Sequence, residues 1–153
     1  MIVAFMLAIY LFGGFVADAA LMLNILLVMG AMSVLSAVFT LPGIAGVILS
    51  VGMAVDANVL IFERIREELA LGKSVRLAID AGYKMAMNAI VDSNVSTILT
   101  AACLVQFGTG PVKGFAVTLI LGIMASMITA IYVTRTFYMI YLERRPGLQT
   151  LSI

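Results

Sequence analysis

The sequence predicts an all-α membrane protein, a bundle of five transmembrane helices, and three observations carry that reading. Of its 153 residues, 63% are hydrophobic and 11% charged, against about 45–50% and about 25% in an average globular chain. The apolar residues fall in long uncharged runs, 1–17, 19–55, 93–112 and 114–134, and one helical span takes about 20 such residues. The runs are continuous rather than alternating, which excludes a β-barrel. At a mean hydropathy of +1.18, a chain this short cannot cover its own core with polar surface, so a water-soluble monomer is excluded too.

The run 1–17 is of marginal length and lacks the charged start and cleavage site of a signal peptide. It is expected to be a first span, shortened at its start. The run 19–55 is too long for one span. It contains Thr40-Leu41-Pro42-Gly43, a turn signal, and divides into spans 19–40 and 43–62. Pro42 then sits in the first helical turn, where its missing N–H costs little. The segment 63–84 is rich in charge and reads as a cytoplasmic connector. Spans 85–107 and 113–140 follow, separated by the breaker Gly108-Thr109-Gly110-Pro111. Residues 1–145 are expected to form one transmembrane domain, and 146–153 a C-terminal tail.

Basic residues give the orientation. The connector carries Arg64, Arg66, Lys73, Arg76 and Lys84, the C-terminal end Arg135, Arg144 and Arg145, and the opposite side only Lys113. The positive-inside bias puts 63–84 and the C-terminus in the cytoplasm and, with five spans, the N-terminus outside. That placement implies that something precedes Met1 in the native chain. Within the connector, Glu63–Arg66 and Arg64–Glu68 have the spacing of surface ion pairs. Gly72 fits a helix C-terminus and Ser74 the N-cap of a short helix, 75–83. A solvated connector is the expected role, a docking surface the minor one.

Several functions are excluded by composition. Nine Lys and Arg against eight Asp and Glu leave almost no net charge, so no nucleic-acid partner is implied. One cysteine, Cys103, and no histidine exclude a disulfide, a cysteine cluster and a histidine metal site or pH switch. No cofactor is expected, and no nucleophile–base pair of an enzyme can be assembled. Any proton chemistry falls to carboxylates, Tyr or Lys.

Two carboxylates stand inside the expected spans. A charge at the centre of a membrane helix costs about 2.5–3.5 kcal/mol even on the most lenient scale, which marks such residues for function. Asp56 lies one to two turns from the cytoplasmic end of its span. Burial pulls its carboxyl toward the neutral form and a nearby cation pulls it back, so it is poised to carry a proton. The plainer role is a neutral, Asn-paired Asp that fixes helix packing. Asp92 lies nearer the cytoplasmic end, where water or Lys84 satisfies it. Asp18 is expected to be interfacial, beside the first loop.

Small residues recur every four positions: Gly46, Ser50, Ala54 and Asn58; Ala89, Ser93, Thr97 and Ala101; Gly114, Thr118, Gly122, Ser126, Ala130 and Thr134. Such stripes let helices approach closely in lipid. Asp56 is then expected to point into the seam with the two following spans, where Ser93, Asn94, Thr97, Ser126 and Thr129 supply polar partners.

The stretch Gly52-Met53-Ala54-Val55-Asp56-Ala57-Asn58-Val59-Leu60-Ile61-Phe62-Glu63-Arg64-Ile65-Arg66-Glu67-Glu68 resembles the signature of the SecD/SecF protein-export membrane protein family, in its SecD form. The likeness continues in Leu41-Pro42-Gly43-Ile44-Ala45-Gly46, in Ile90-Val91-Asp92-Ser93-Asn94-Val95-Ser96-Thr97 and in Gly108-Thr109-Gly110-Pro111-Val112-Lys113-Gly114-Phe115. It runs from about Phe12 to Arg144. Ser96-Thr97 departs slightly from the family's usual Thr-Thr.

The resemblance implies a resistance–nodulation–division-type transporter core, of which this chain is one half of a pseudo-symmetric pair. Family members carry six spans and a large periplasmic domain, and the match here covers the last five spans. The implied partners are SecF, the SecYEG channel, SecA at the cytoplasmic side, a preprotein substrate and the lipid bilayer. The implied place is the inner membrane of a prokaryote. The implied function is use of the proton gradient, or sodium in some relatives, to assist preprotein export. Asp56 matches the proton-relay carboxylate, and Asn58, Asp92, Asn94, Thr97 and Ser126 are supporting polar residues. A purely structural subunit is the alternative. It predicts that Asp56→Asn is silent and that changes at Gly122 or Ser126 break association. A small-molecule exporter of the same superfamily is a further one, against which the signature differs.

Overall fold

A computed structural model describes residues 2–34 and 40–144. Met1, the expected end of the second span at 35–39, Arg145 and the tail 146–153 lie outside the described residues. The architecture is all-helical, in the order α1 (Ile2–Tyr10), α2 (Phe12–Val34), α3 (Leu41–Ala70), α4 (Val75–Phe107), α5 (Pro111–Ile128), a π-helical turn (Thr129–Val133) and α6 (Thr134–Arg144). Among the described residues there is no strand. α2, α3, α4 and the continuous rod Pro111–Arg144 are each long and apolar enough to cross a membrane. The expected helical membrane bundle is borne out.

The turns fall where the chain supplies breakers. Thr40 caps α3, its Oγ1 accepting from the Gly43 N–H at 3.1 Å, with Pro42 in the first turn. After α3, Gly72 takes φ +82. Ser74 occupies the N-cap of α4 without a side-chain bond. Gly110 (φ +48) and Pro111 open α5. α3 carries its helix to Ala70, and the short helix expected at 75–83 is the first part of α4.

The first boundary also moves. The junction expected near residue 18 falls at Leu11, which holds φ +44 between α1 and α2. The turn is tight enough that a Cβ on Gly14 would stand 2.2 Å from the Met6 carbonyl oxygen, so glycine is what lets α1 fold against α2. α1 is 9 residues long, about 13 Å, less than the roughly 30 Å of a bilayer core. Asp18 therefore lies about two turns inside α2, not at a loop. Both its carboxylate oxygens are shielded and unpartnered.

α3 is the central helix and packs on α5, α4 and α2. Its small stripe, Gly46, Ser50, Ala54 and Asn58, is buried throughout. The stripe on the last rod, Thr118, Gly122, Ser126, Ala130 and Thr134, is buried too. The two meet so closely that a Cβ on Gly122 would stand 2.2 Å from the Ser50 Cβ. The α4 stripe differs. Ala89 and Ser93 are exposed, and α4 buries Ala78, Gly82, Ala86, Ile90 and Asn94 instead.

The lower core gathers around Phe62, Ile61, Ile65, Ile79 and Tyr138. Phe62 stacks at a tilt on Tyr10 at 5.4 Å and edge-on to Tyr138 at 5.9 Å. Tyr10 donates to the Glu63 Oε1 at 2.8 Å, and Arg66 pairs with Glu63 at 3.1 Å while lying over the Tyr10 ring. The end of α1 and the end of the apolar part of α3 are thus at one level. The Glu63–Arg66 pair forms as expected. Arg64 pairs with Glu67, at 2.7 Å, rather than with Glu68. Glu68 pairs with Lys73.

Candidate functional site at Asp56

Asp56 is exposed on α3 and lines a depression of about 110 Å³ between α3 and α4. Met53, Asp56, Ala57 and Leu60 line it from α3, and Ile90, Ser93 and Asn94 from α4. Both sets follow the spacing of one helical face. Asn94 is 5% exposed and Ser93 lies at the surface. The Ser93 hydroxyl donates to the Ile90 carbonyl at 3.1 Å. The depression thus brings one carboxylate, one hydroxyl and one amide together among apolar side chains. Among the described residues, no group of three or more His, Cys, Asp or Glu is placed to hold a metal ion.

The expected seam is divided. Asp56 shares the depression with Ser93 and Asn94, and Thr97, Ser126 and Thr129 are not among its lining residues. Asp56 and Asn58 are two residues apart, which turns them about 200° around a helix. Asn58, on the buried stripe, faces into the bundle with Oδ1 unpartnered. Ser126 and Thr129 lie buried on the rod, bonded to the Ile123 and Ser126 carbonyls. Thr97 donates to the Ser93 carbonyl at 2.9 Å, one turn beyond the depression. Asp92 is exposed on α4 and takes no part in its lining.

Sequence reasoning missed two features. One is the apolar lining, Met53, Ala57, Leu60 and Ile90, which the helical phase of Asp56 would have identified. The other is Asn24 on α2, fully buried with both side-chain polar atoms unpartnered.

Fold and site define a multi-pass α-helical membrane protein with a carboxylate set at span depth on an open face. A family model described as protein export membrane protein SecD/SecF, C-terminal, matches residues 1–144, and the chain belongs to that family. It is 58% identical over 151 residues to the protein translocase subunit SecD of Syntrophobacter fumaroxidans, covering 99% of this chain and 28% of that protein. It is 54% identical over 138 residues to the SecD subunit of Calditerrivibrio nitroreducens, covering 90% and 27%. The crystal structure of SecDF from Thermus thermophilus, described as a translocon-associated membrane protein, superposes with a TM-score of 0.90 at 43% identity. That match covers 94% of this chain and 20% of SecDF. The chain spans less than a third of the length of these relatives.

Proposed function

We propose that this chain is the SecD-type membrane half of a proton-driven protein-export machine, with Asp56 as the group that takes and releases the proton. The position of Asp56 carries the reading. It stands on an open face of α3, in a depression shared with Ser93 and Asn94. A carboxylate left at span depth against lipid costs about 2.5–3.5 kcal/mol, so this face calls for a second protein surface. A pseudo-symmetric SecF-type half is the occupant that family membership suggests, completing a resistance–nodulation–division-type core. Protonation of Asp56 removes a charge from that interface and shifts the packing of the two halves. The shift pulls a preprotein outward through SecYEG after SecA has acted. The work is mechanical rather than catalytic, in keeping with relatives named as translocase subunits. Residues 63–84 and the C-terminus face the cytoplasm, and α1, too short to cross by itself, runs toward that side from the outward direction.

The test uses the full-length chain with its SecF-type partner in inverted membrane vesicles. Asp56→Asn abolishes the part of preprotein export that depends on the proton gradient, while the two halves still co-purify. Undiminished gradient-dependent export in the Asn variant overturns the relay. A sodium gradient that drives export in place of the proton gradient changes the coupling ion but keeps the carboxylate.

A further inference from the structure

A second cavity, of about 470 Å³, lies between α4 and the last rod and shares no residue with the Asp56 depression. Its charged and amide lining is Asp80, Lys84, Asn88 and Arg135, and Tyr83, Met87 and Ile131 complete the wall. Asp80, Lys84 and Asn88 follow one another at four-residue spacing on α4, and Ile131 and Arg135 do so on the rod, so each set shares a helix face. Arg135 donates to the Asp80 Oδ1 at 3.0 Å. Lys84 is exposed and forms no salt bridge among the described residues. Two cations against one carboxylate leave the lining positive.

Depth narrows the ligand. Arg135 ends the uncharged run 114–134, and Lys84 precedes the uncharged stretch 85–91 of α4. Both cations therefore sit where apolar helix gives way to polar surroundings, the level of lipid phosphates. Basic pockets between spans on the cytoplasmic side are suited to anionic headgroups, and long Lys and Arg stems reach that level readily. The walls are held in place. Tyr83 and Thr134, both buried, share a hydrogen bond of 2.6 Å beside the cavity. The π-helical turn Thr129–Val133, a feature frequent at functional sites, contains Ile131 and ends two residues before Arg135. Ile128 and Tyr132, exposed on the same rod, offer contact to an acyl chain.

We propose that this cavity binds the phosphate of an anionic phospholipid, with Lys84 and Arg135 on the phosphate oxygens and the Asn88 amide on the headgroup. The site is independent of the role of Asp56.

The test is native mass spectrometry of the full-length protein in neutral detergent, titrated with phosphatidylglycerol, phosphatidylcholine or inorganic phosphate. Phosphatidylglycerol is retained one per chain and in preference to phosphatidylcholine. Lys84→Gln, which breaks no ion pair, weakens retention about fivefold, and Lys84→Gln with Arg135→Gln about 25-fold. Asp80→Asn, which frees Arg135, tightens it. Retention unchanged in Lys84→Gln overturns the proposal. So does an equal loss in Arg76→Gln, an exposed cation outside the cavity, because it marks diffuse attraction. Inorganic phosphate that displaces phosphatidylglycerol at matching concentration assigns the cavity to a soluble anion and overturns the lipid reading.

Discussion

Along α3, Gly46, Ser50, Ala54 and Asn58 lie on one face, and Gly52 and Asp56 on the opposite one. The first face is closed within the chain. Its small side chains let the rod approach until Gly122 touches Ser50, and the hydroxyls there bond to their own helices. The second face is open. Among the described residues nothing lies within 4 Å of where a Cβ on Gly52 would stand, and Asp56 is exposed in its depression. Four-residue spacing of small residues therefore marks a closed seam only where a second helix of the same chain meets it. On the proposed function, the carboxylate on the open side marks the surface that takes the partner. The Gly122–Ser126 stripe is spent inside the bundle, so its changes act on folding before they act on association.

The largest effect is expected at the closed seam. Gly122→Leu forces a Cβ to 2.2 Å from the Ser50 Cβ, and neither backbone can yield without parting α3 from α5. The cost is about 3 kcal/mol or more, the upper end of overpacking. In size-exclusion chromatography, the full-length variant loses its monodisperse peak. A variant as well behaved as the parent would show that the seam has slack. Next comes the lower core, where Phe62 is fully buried between Tyr10 and Tyr138. Phe62→Ala costs about 3–5 kcal/mol, read as a fall in thermal midpoint, and loosens α1 and α6 together.

The same comparison explains what the sequence disclosed. The turns at Thr40-Leu41-Pro42-Gly43, Gly72 and Gly110-Pro111 were legible because Pro and Gly have local reasons to sit there. Asp56 stood out because a charge amid 63% hydrophobic residues is itself a signal. Its surroundings were not legible in the same way. A charge names a residue, whereas its neighbours depend on helical phase, and the two-residue step from Asp56 to Asn58 places them on opposite sides. The α4 stripe of Ala89, Ser93 and Thr97 has the spacing of a packed face, yet Ala89 and Ser93 are exposed among the described residues. The joint at Leu11 was hidden because leucine carries no preference for a positive φ. Without that joint, Asp18 looked like the marker of the loop.

The smallest effect is the one that bears most directly on the open face. Gly52 shares the side of Asp56, four residues away, and glycine inside a helix costs about 0.5–1 kcal/mol relative to alanine. With nothing within 4 Å, Gly52→Ala is expected to raise the thermal stability of the full-length chain alone by about that amount. Once a SecF-type half packs on this face, the same methyl group stands between two backbones that small residues hold close. Gly52→Ala then weakens co-purification of the two halves and lowers gradient-dependent export, though less than Asp56→Asn does. Opposite signs in the two measurements, stability up and association down, tie the open face to a close partner. A gain in stability with association unchanged would mean that the partner keeps its distance from Gly52, and that Asp56 is met across a wider, wetter gap.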